Sequence, residues 1–150
     1  MSGGEDEFLP TVDVAIEFVD FAHEAPEGHL AAGFPPEYIV AERLRMEAYR
    51  RLGSFTHPED LTGFADELED RFGSLPEPAK NMFKVVEIKI HAARAGCSSV
   101  SVADNKVYFK GDAGIYRRNG MIPVINPANS PKFKLDNLLE IARLVRPVES

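Results

Sequence analysis

The chain has one cysteine, Cys97, and no second one to pair with it. A lone thiol excludes an internal disulfide framework and any zinc site built from several cysteines. It fits a reducing cytoplasm. Long apolar runs are also missing: no stretch approaches the ~18–20 residues that a membrane-spanning helix needs. The N-terminus reads MSGGEDE, without the basic start and apolar run of a secretory signal. Basic charge is in short supply, with 17 Lys and Arg against 24 Asp and Glu and a net charge of −7. Domains that bind nucleic acid usually show the opposite balance, so a basic protein partner is the better expectation.

Catalytic signatures are absent as well. No G-x-x-x-x-G-K-[ST] loop is present to cradle phosphates, and the GDAG of residues 111–114 lacks both its lysine and its helix. There is no H-E-x-x-H pair and no G-x-S-x-G elbow. His23, His29, His57 and His91 are scattered, without ligand spacing to one another. Cys97 follows Gly96 at the expected end of a helix, whereas activated thiolates favour helix N-termini. No catalytic, cofactor-binding or metal-binding residue is therefore expected.

What is present is an ordinary globular composition, 44% hydrophobic and 27% charged over 150 residues, which suits one domain. Residues 1–8 read as a disordered tail or a cloning remnant, and residues 9–150 as a single α+β domain. In TVDVAIEF, Val12, Val14, Ile16 and Phe18 alternate with Asp13, Ala15 and Glu17, the period of a half-buried strand that Val19 and Phe21 extend. A loop follows, then a first helix over FPPEYIVAERLRMEAYRRLGSF, entered at Pro35 and Pro36 and stopped at Gly53. Glu47 and Arg51 lie four apart on its polar side, where Arg43, Arg45, Arg50 and Arg51 are balanced by Glu37, Glu42 and Glu47. A second helix spans THPEDLTGFADELEDRFG, with Thr56 and Glu59 as a capping box, Leu61, Phe64, Leu68 and Phe72 as its stripe, and Gly73 as its cap.

The third helix, SLPEPAKNMFKVVEIKIHAARAG, contains Pro76 and Pro78. An interior proline costs about 3 kcal/mol, so both belong in a first turn that begins at Ser74 or Leu75. Its broad apolar surface predicts a central helix packed on two sides. Val100, Val102, the Asp104-Asn105 turn, Val107 and Phe109 spell a hairpin. GIYRR and MIPVI add short strands, Pro123 marking an edge. Leu135, Leu138, Leu139, Ala142 and Val145 form a last helical stripe, ended by Pro147. The expectation is α+β: three helices, a small antiparallel sheet and a C-terminal helix.

Asp66, Glu67, Glu69 and Asp70 crowd the end of the second helix. That end already carries a partial negative charge, so each acid is unfavourable by about 0.3–1 kcal/mol. Local stability does not account for them. Glu67 and Asp70, three apart, share a face. Two readings stand: a solvated face softened by Arg71 and Lys80, or a pair of carboxylates presented to the guanidinium groups of a partner.

The chain from about Thr11 to Gly96 resembles the C-terminal domain of the bacterial transcription-repair coupling factors, the Mfd family. The match runs through Pro36-Glu37-Tyr38-Ile39, Arg43-Leu44, Tyr49-Arg50-Arg51-Leu52, Glu67-Leu68-Glu69-Asp70-Arg71-Phe72-Gly73, Leu75-Pro76 and Pro78. Gly53, Phe55 and a longer early loop, DFAHEAPEGHLAAGF, depart from it. The resemblance implies a parent protein that is an ATP- and magnesium-dependent DNA translocase of the bacterial cytoplasm. Such a parent displaces stalled RNA polymerase and recruits the excision-repair protein UvrA. It also implies that this region is a non-catalytic, autoinhibitory domain. Docked on the parent's UvrB-like module, it would mask the UvrA-binding surface and restrain the motor. Glu67, Asp70 and Arg71 then become the partner-binding residues, and Gly73, Pro76 and Pro78 the joint that sets the angle of the third helix. Two other classes remain open: an accessory nucleic-acid-binding domain using Arg117, Arg118, Lys132 and Lys134, and a small enzyme using Cys97 or a His/Glu pair.

Overall fold

A computed structural model describes residues 11–148; the expected tail at residues 1–8 lies outside them. The chain runs β1 (Asp13–Ile16), β2 (Val19–Asp20), β3 (Leu30–Ala31), α1 (Glu42–Ser54), α2 (Pro58–Phe72), α3 (Glu77–Arg94), β4 (Cys97–Ala103), β5 (Lys106–Gly111), β6 (Gly114–Ile115) and α4 (Pro131–Leu144). Helices and strands are segregated, as the α+β reading expects.

α3 is apolar on two sides, and the architecture follows from that. Val85, Ile88, Ala92 and Ala93 face one core, shared with the sheet and with Leu135, Leu138 and Ile141 of α4. Ala79, Val86 and Ile90 face a second core, built from Ala48 and Leu52 of α1 and Leu61, Phe64 and Leu68 of α2. Met82 borders both. Gly96, at φ +82°, turns the chain out of α3 into β4.

The main sheet has the order β1-β4-β5-β6. The hairpin of β4 and β5 is antiparallel and turns at Asp104 and Asn105, both at positive φ, as an Asx-rich hairpin turn requires. The antiparallel expectation fails at one strand: β1 joins β4 in parallel, with Val14 opposite Val100 and Ile16 opposite Val102. The three helices between β1 and β4 supply the long crossover that a parallel neighbour needs. The expected extension of β1 also divides. After a turn at Glu17 and Phe18, Val19 and Asp20 pair instead with β3, and Phe21 is exposed. Of the two later segments, one is β6 and the other forms a bridge from Val124 to Lys106, with the Pro123 carbonyl accepting from Val107 N–H at 2.9 Å.

Three helix starts are later than the sequence pattern suggests. Pro35 to Val40 form a turn, not the entry of α1. There the Arg45 guanidinium takes the Ile39 and Val40 carbonyls at 2.8 and 2.9 Å, so neither continues a helical ladder. At α2 the cap is His57, whose N–H donates to Asp60 at 3.3 Å, one residue beyond the expected Thr56–Glu59 box. α3 begins at Glu77, with Pro76 as an extended N-cap and Pro78 within the first turn. A proline at a cap lacks only an N–H that would have had no helical partner.

The candidate interaction site at the end of the second helix

α2 carries six acids, Glu59, Asp60, Asp66, Glu67, Glu69 and Asp70, and one cation, Arg71. The structure divides the four acids of its last turns into two groups. Glu67 and Glu69 have internal partners. Asp66 and Asp70 are exposed and have no hydrogen-bond or ion-pair partner among the described residues.

Glu67 accepts a hydrogen bond from Arg51 of α1, whose guanidinium also lies over the Phe64 ring at 4.4 Å. The expected Glu47–Arg51 pairing along α1 is replaced by this bridge between helices, while Glu47 pairs with Arg43 at 3.6 Å. The Arg51 hydrogen bond, aided by the Arg51 and Arg71 charges, holds the Glu67 carboxyl below the usual carboxylate range against the opposing effect of burial. Glu67 and Asp70 are therefore not equivalent. A partner's arginine reaching Glu67 must share it with Arg51.

Glu69 turns the other way. Its carboxylate accepts from Leu75 N–H at 3.3 Å, across the Gly73-Ser74 corner. Beside it, the Tyr38 hydroxyl donates to the Gly73 carbonyl at 2.7 Å, and the Tyr38 ring packs on Phe72 at 5.9 Å. Burial, reinforced by the Glu69 charge, raises the Tyr38 phenol above its ordinary pKa. Gly73 sits at φ +92° and ψ −174°, a region open essentially only to glycine. Gly33 N–H then donates to the Pro78 carbonyl at 3.0 Å, and the buried Asn81 amide donates to Ala31 at 2.9 Å. The expected joint of Gly73, Pro76 and Pro78 is thus a tied corner whose tethers come from the segment before α1.

Arg71 is exposed, with its guanidinium 4.9 Å from the Phe72 ring. It stands at the rim of the acidic face, next to Asp70 in sequence. Sequence reasoning missed Tyr38, Arg51 and Glu69 as working residues of this corner. All three lie in the strings that carry the family resemblance, but only the folded chain shows what they touch.

Among the described residues no group of His, Cys, Asp and Glu could hold a metal ion. His91 pairs with Glu87 at 3.0 Å on α3. Burial raises the pKa of the Cys97 thiol, the reverse of activation. None of the described helices is long and apolar enough to cross a membrane.

The TRCF domain profile matches residues 29–115, from the tethering segment through α3 to β6. A transcription-repair-coupling factor of Mycobacterium tuberculosis is 37% identical over 94 residues, 62% of this chain and 7% of the relative. The corresponding factor of Rickettsia conorii is 27% identical over 147 residues, 94% of this chain and 12% of the relative. Both relatives are thus several times longer than the stretch they share with this chain. In shape, the fold matches a crystal structure of the C-terminal domain of a transcription-repair coupling factor. The TM-score is 0.68 at 18% identity, covering 92% of this chain and 95% of that one. With more than half of its residues inside the matched stretch, the chain belongs to the TRCF domain family.

Proposed function

We propose that this domain is a non-catalytic docking module of a bacterial transcription-repair coupling factor. Its partner is the UvrB-like module of the same parent protein, and the contact is made through the exposed end of α2. Docked, it covers the surface that recruits UvrA and restrains an ATP-driven DNA motor carried elsewhere in the parent. It works in the cytoplasm, and it meets RNA polymerase and DNA only through the parent.

One observation carries the reading: Asp70 in the last turn of α2 and Asp66 one turn before it are exposed without a hydrogen-bond or ion-pair partner among the described residues, while their neighbours Glu67 and Glu69 are internally paired. An acid in the last turn, as Asp70 is, costs stability, and a docked arginine recovers that cost through bidentate hydrogen bonds. The tied corner of Tyr38, Glu69 and Gly73 fixes where this end points, so little order has to be gained on docking. Glu67 joins the contact at its edge, and Arg71 sits beside Asp70 at the rim. A contact within one chain gains from high effective concentration, so the separated pieces bind weakly. That suits a switch, which a ligand can release only when docking is worth a few kcal/mol.

The test is a low-salt titration of this domain with the isolated UvrB-like module, comparing wild type with an Asp66→Arg/Asp70→Arg variant. Binding by the wild type and loss of it in the folded variant supports the reading. Equal binding by both removes these carboxylates from the contact.

A further inference from the structure

Cations are distributed unevenly over the molecule. Between Asn105 and Leu135 the sequence has six, Lys106, Lys110, Arg117, Arg118, Lys132 and Lys134, and a single acid, Asp112. Of the eleven cations elsewhere, five are in ion pairs: Arg43 with Glu47, Arg51 with Glu67, Lys80 with Glu77, Lys84 with Asp136 and Arg143 with Glu87. In the 105–135 stretch none forms an ion pair with a carboxylate among the described residues, and all but Lys134 are exposed.

The fold brings these groups to one edge of the sheet and the adjoining end of α4. Lys110 lies opposite Ile115 in the β5–β6 ladder. Arg118 and Met121 close a tight turn with mutual backbone hydrogen bonds of 2.8 and 3.0 Å, Asn119 and Gly120 both at positive φ. The chain then returns to bridge Val124 to Lys106. The first turn of α4 arrives beside the β4–β5 turn. Glu17 accepts from the Asp104 and Asn105 amides at 2.9 Å each and feels the charge of Lys134, whose ammonium is 5.9 Å from the Phe18 ring. Next to it, Lys132 and Phe133 point to solvent, Phe133 being 63% exposed. The first turn of α4 has no acid to offset its lysines.

We infer that this edge, Lys106, Arg117, Arg118 and Lys132 with Phe133 beside them, binds the phosphate backbone of nucleic acid. Four exposed cations without an ion-pair partner among the described residues form a local positive field in a chain of net charge −7, and a polyanion is the chemistry that complements it. Neutralising phosphates releases condensed counterions, which makes such binding possible for a chain of unfavourable overall charge when salt is low. Phe133 supplies an exposed ring on which an unpaired base can stack. This surface shares no residue with the α2 docking face, so either assignment can fail without the other.

Fluorescence anisotropy of the whole chain with labelled oligothymidine, and with a duplex of equal length, tests it. Both probes are expected to bind at low salt. With four phosphate contacts, affinity for the duplex falls by about 100-fold between roughly 50 and 200 mM salt. Arg117→Glu/Arg118→Glu weakens both probes at least tenfold. Lys132→Ala, on a different element, weakens both to a lesser degree and serves should the double variant not fold. Phe133→Ala weakens the single strand more than the duplex. No binding at millimolar protein, or unchanged affinity in folded charge variants, overturns the inference. So does equal binding of polyglutamate, which would reassign the edge to acidic protein segments.

Discussion

The hydroxyl of Tyr38 donates to the carbonyl of Gly73 across 35 residues of sequence, at 2.7 Å. The bond joins the turn before α1 to the corner between α2 and α3. It ties the corner that follows the acidic helix end to the segment that precedes α1.

Removing that hydroxyl is expected to loosen the corner without unfolding the domain. Tyr38→Phe keeps the ring contact with Phe72 and gives up one hydrogen bond, a loss of about 1 kcal/mol, readable by urea unfolding. The wild-type phenol pKa is raised by burial and by Glu69, so its contribution has a defined pH window. It is fully present below the ordinary tyrosine pKa and is lost as pH rises through the raised value. The variant is expected to lack that alkaline slope.

Two glycines of the α2 segment should respond in opposite directions. Gly73, at φ +92°, has open space around it, so the cost of Gly73→Ala is backbone strain alone, about 1–3 kcal/mol. Gly63 lies within α2 with nothing within 4 Å of an added Cβ, and Gly63→Ala is expected to stabilise by about 0.5–1 kcal/mol. Melting temperatures of the two variants should straddle that of the wild type.

Much of this was readable in advance, and the limits are physical. Period-two and helical patterns located every helix and the hairpin, because burial of one face writes itself into local sequence. The two-sided apolar surface of α3 announced its central place. The start of α1 was misread because Arg45 takes the carbonyls of Ile39 and Val40, a contact that propensity does not encode. The parallel pairing of β1 was hidden because alternation fixes a strand's faces and not its neighbour. The acidic helix end was visible as a cluster. Its division into paired Glu67 and Glu69, and Asp66 and Asp70 without a partner among the described residues, depends on Arg51 and the Leu75 amide, which only the fold brings near.

The junction of α3 and α4 should be acid-sensitive. Burial alone would raise the Glu87 pKa, but hydrogen bonds from Arg143 and His91 outweigh it and hold the carboxyl below its ordinary range. Stability from this group is present above the ordinary carboxylate pKa and is lost as pH falls through the depressed value. Glu87→Gln is expected to cost about 1–2 kcal/mol near neutrality and to flatten the acid limb of the stability profile.

Arg51 competes for one of the candidate docking carboxylates. Arg51→Ala releases Glu67 to solvent and to any partner. Because exposed ion pairs contribute little to folding, the variant should stay folded and dock more tightly, on the order of two- to fivefold. Weaker docking would show that Arg51 itself meets the partner.

The docking claim is tested most directly by mapping it. The isotope-labelled domain, titrated with the UvrB-like module at low salt, reports each backbone amide separately. Docking through α2 is expected to concentrate shift changes from Asp66 to Gly73, with Tyr38 following and the edge from Lys106 to Lys132 unaffected. Changes centred away from α2, with Asp66 and Asp70 unmoved, would contradict it.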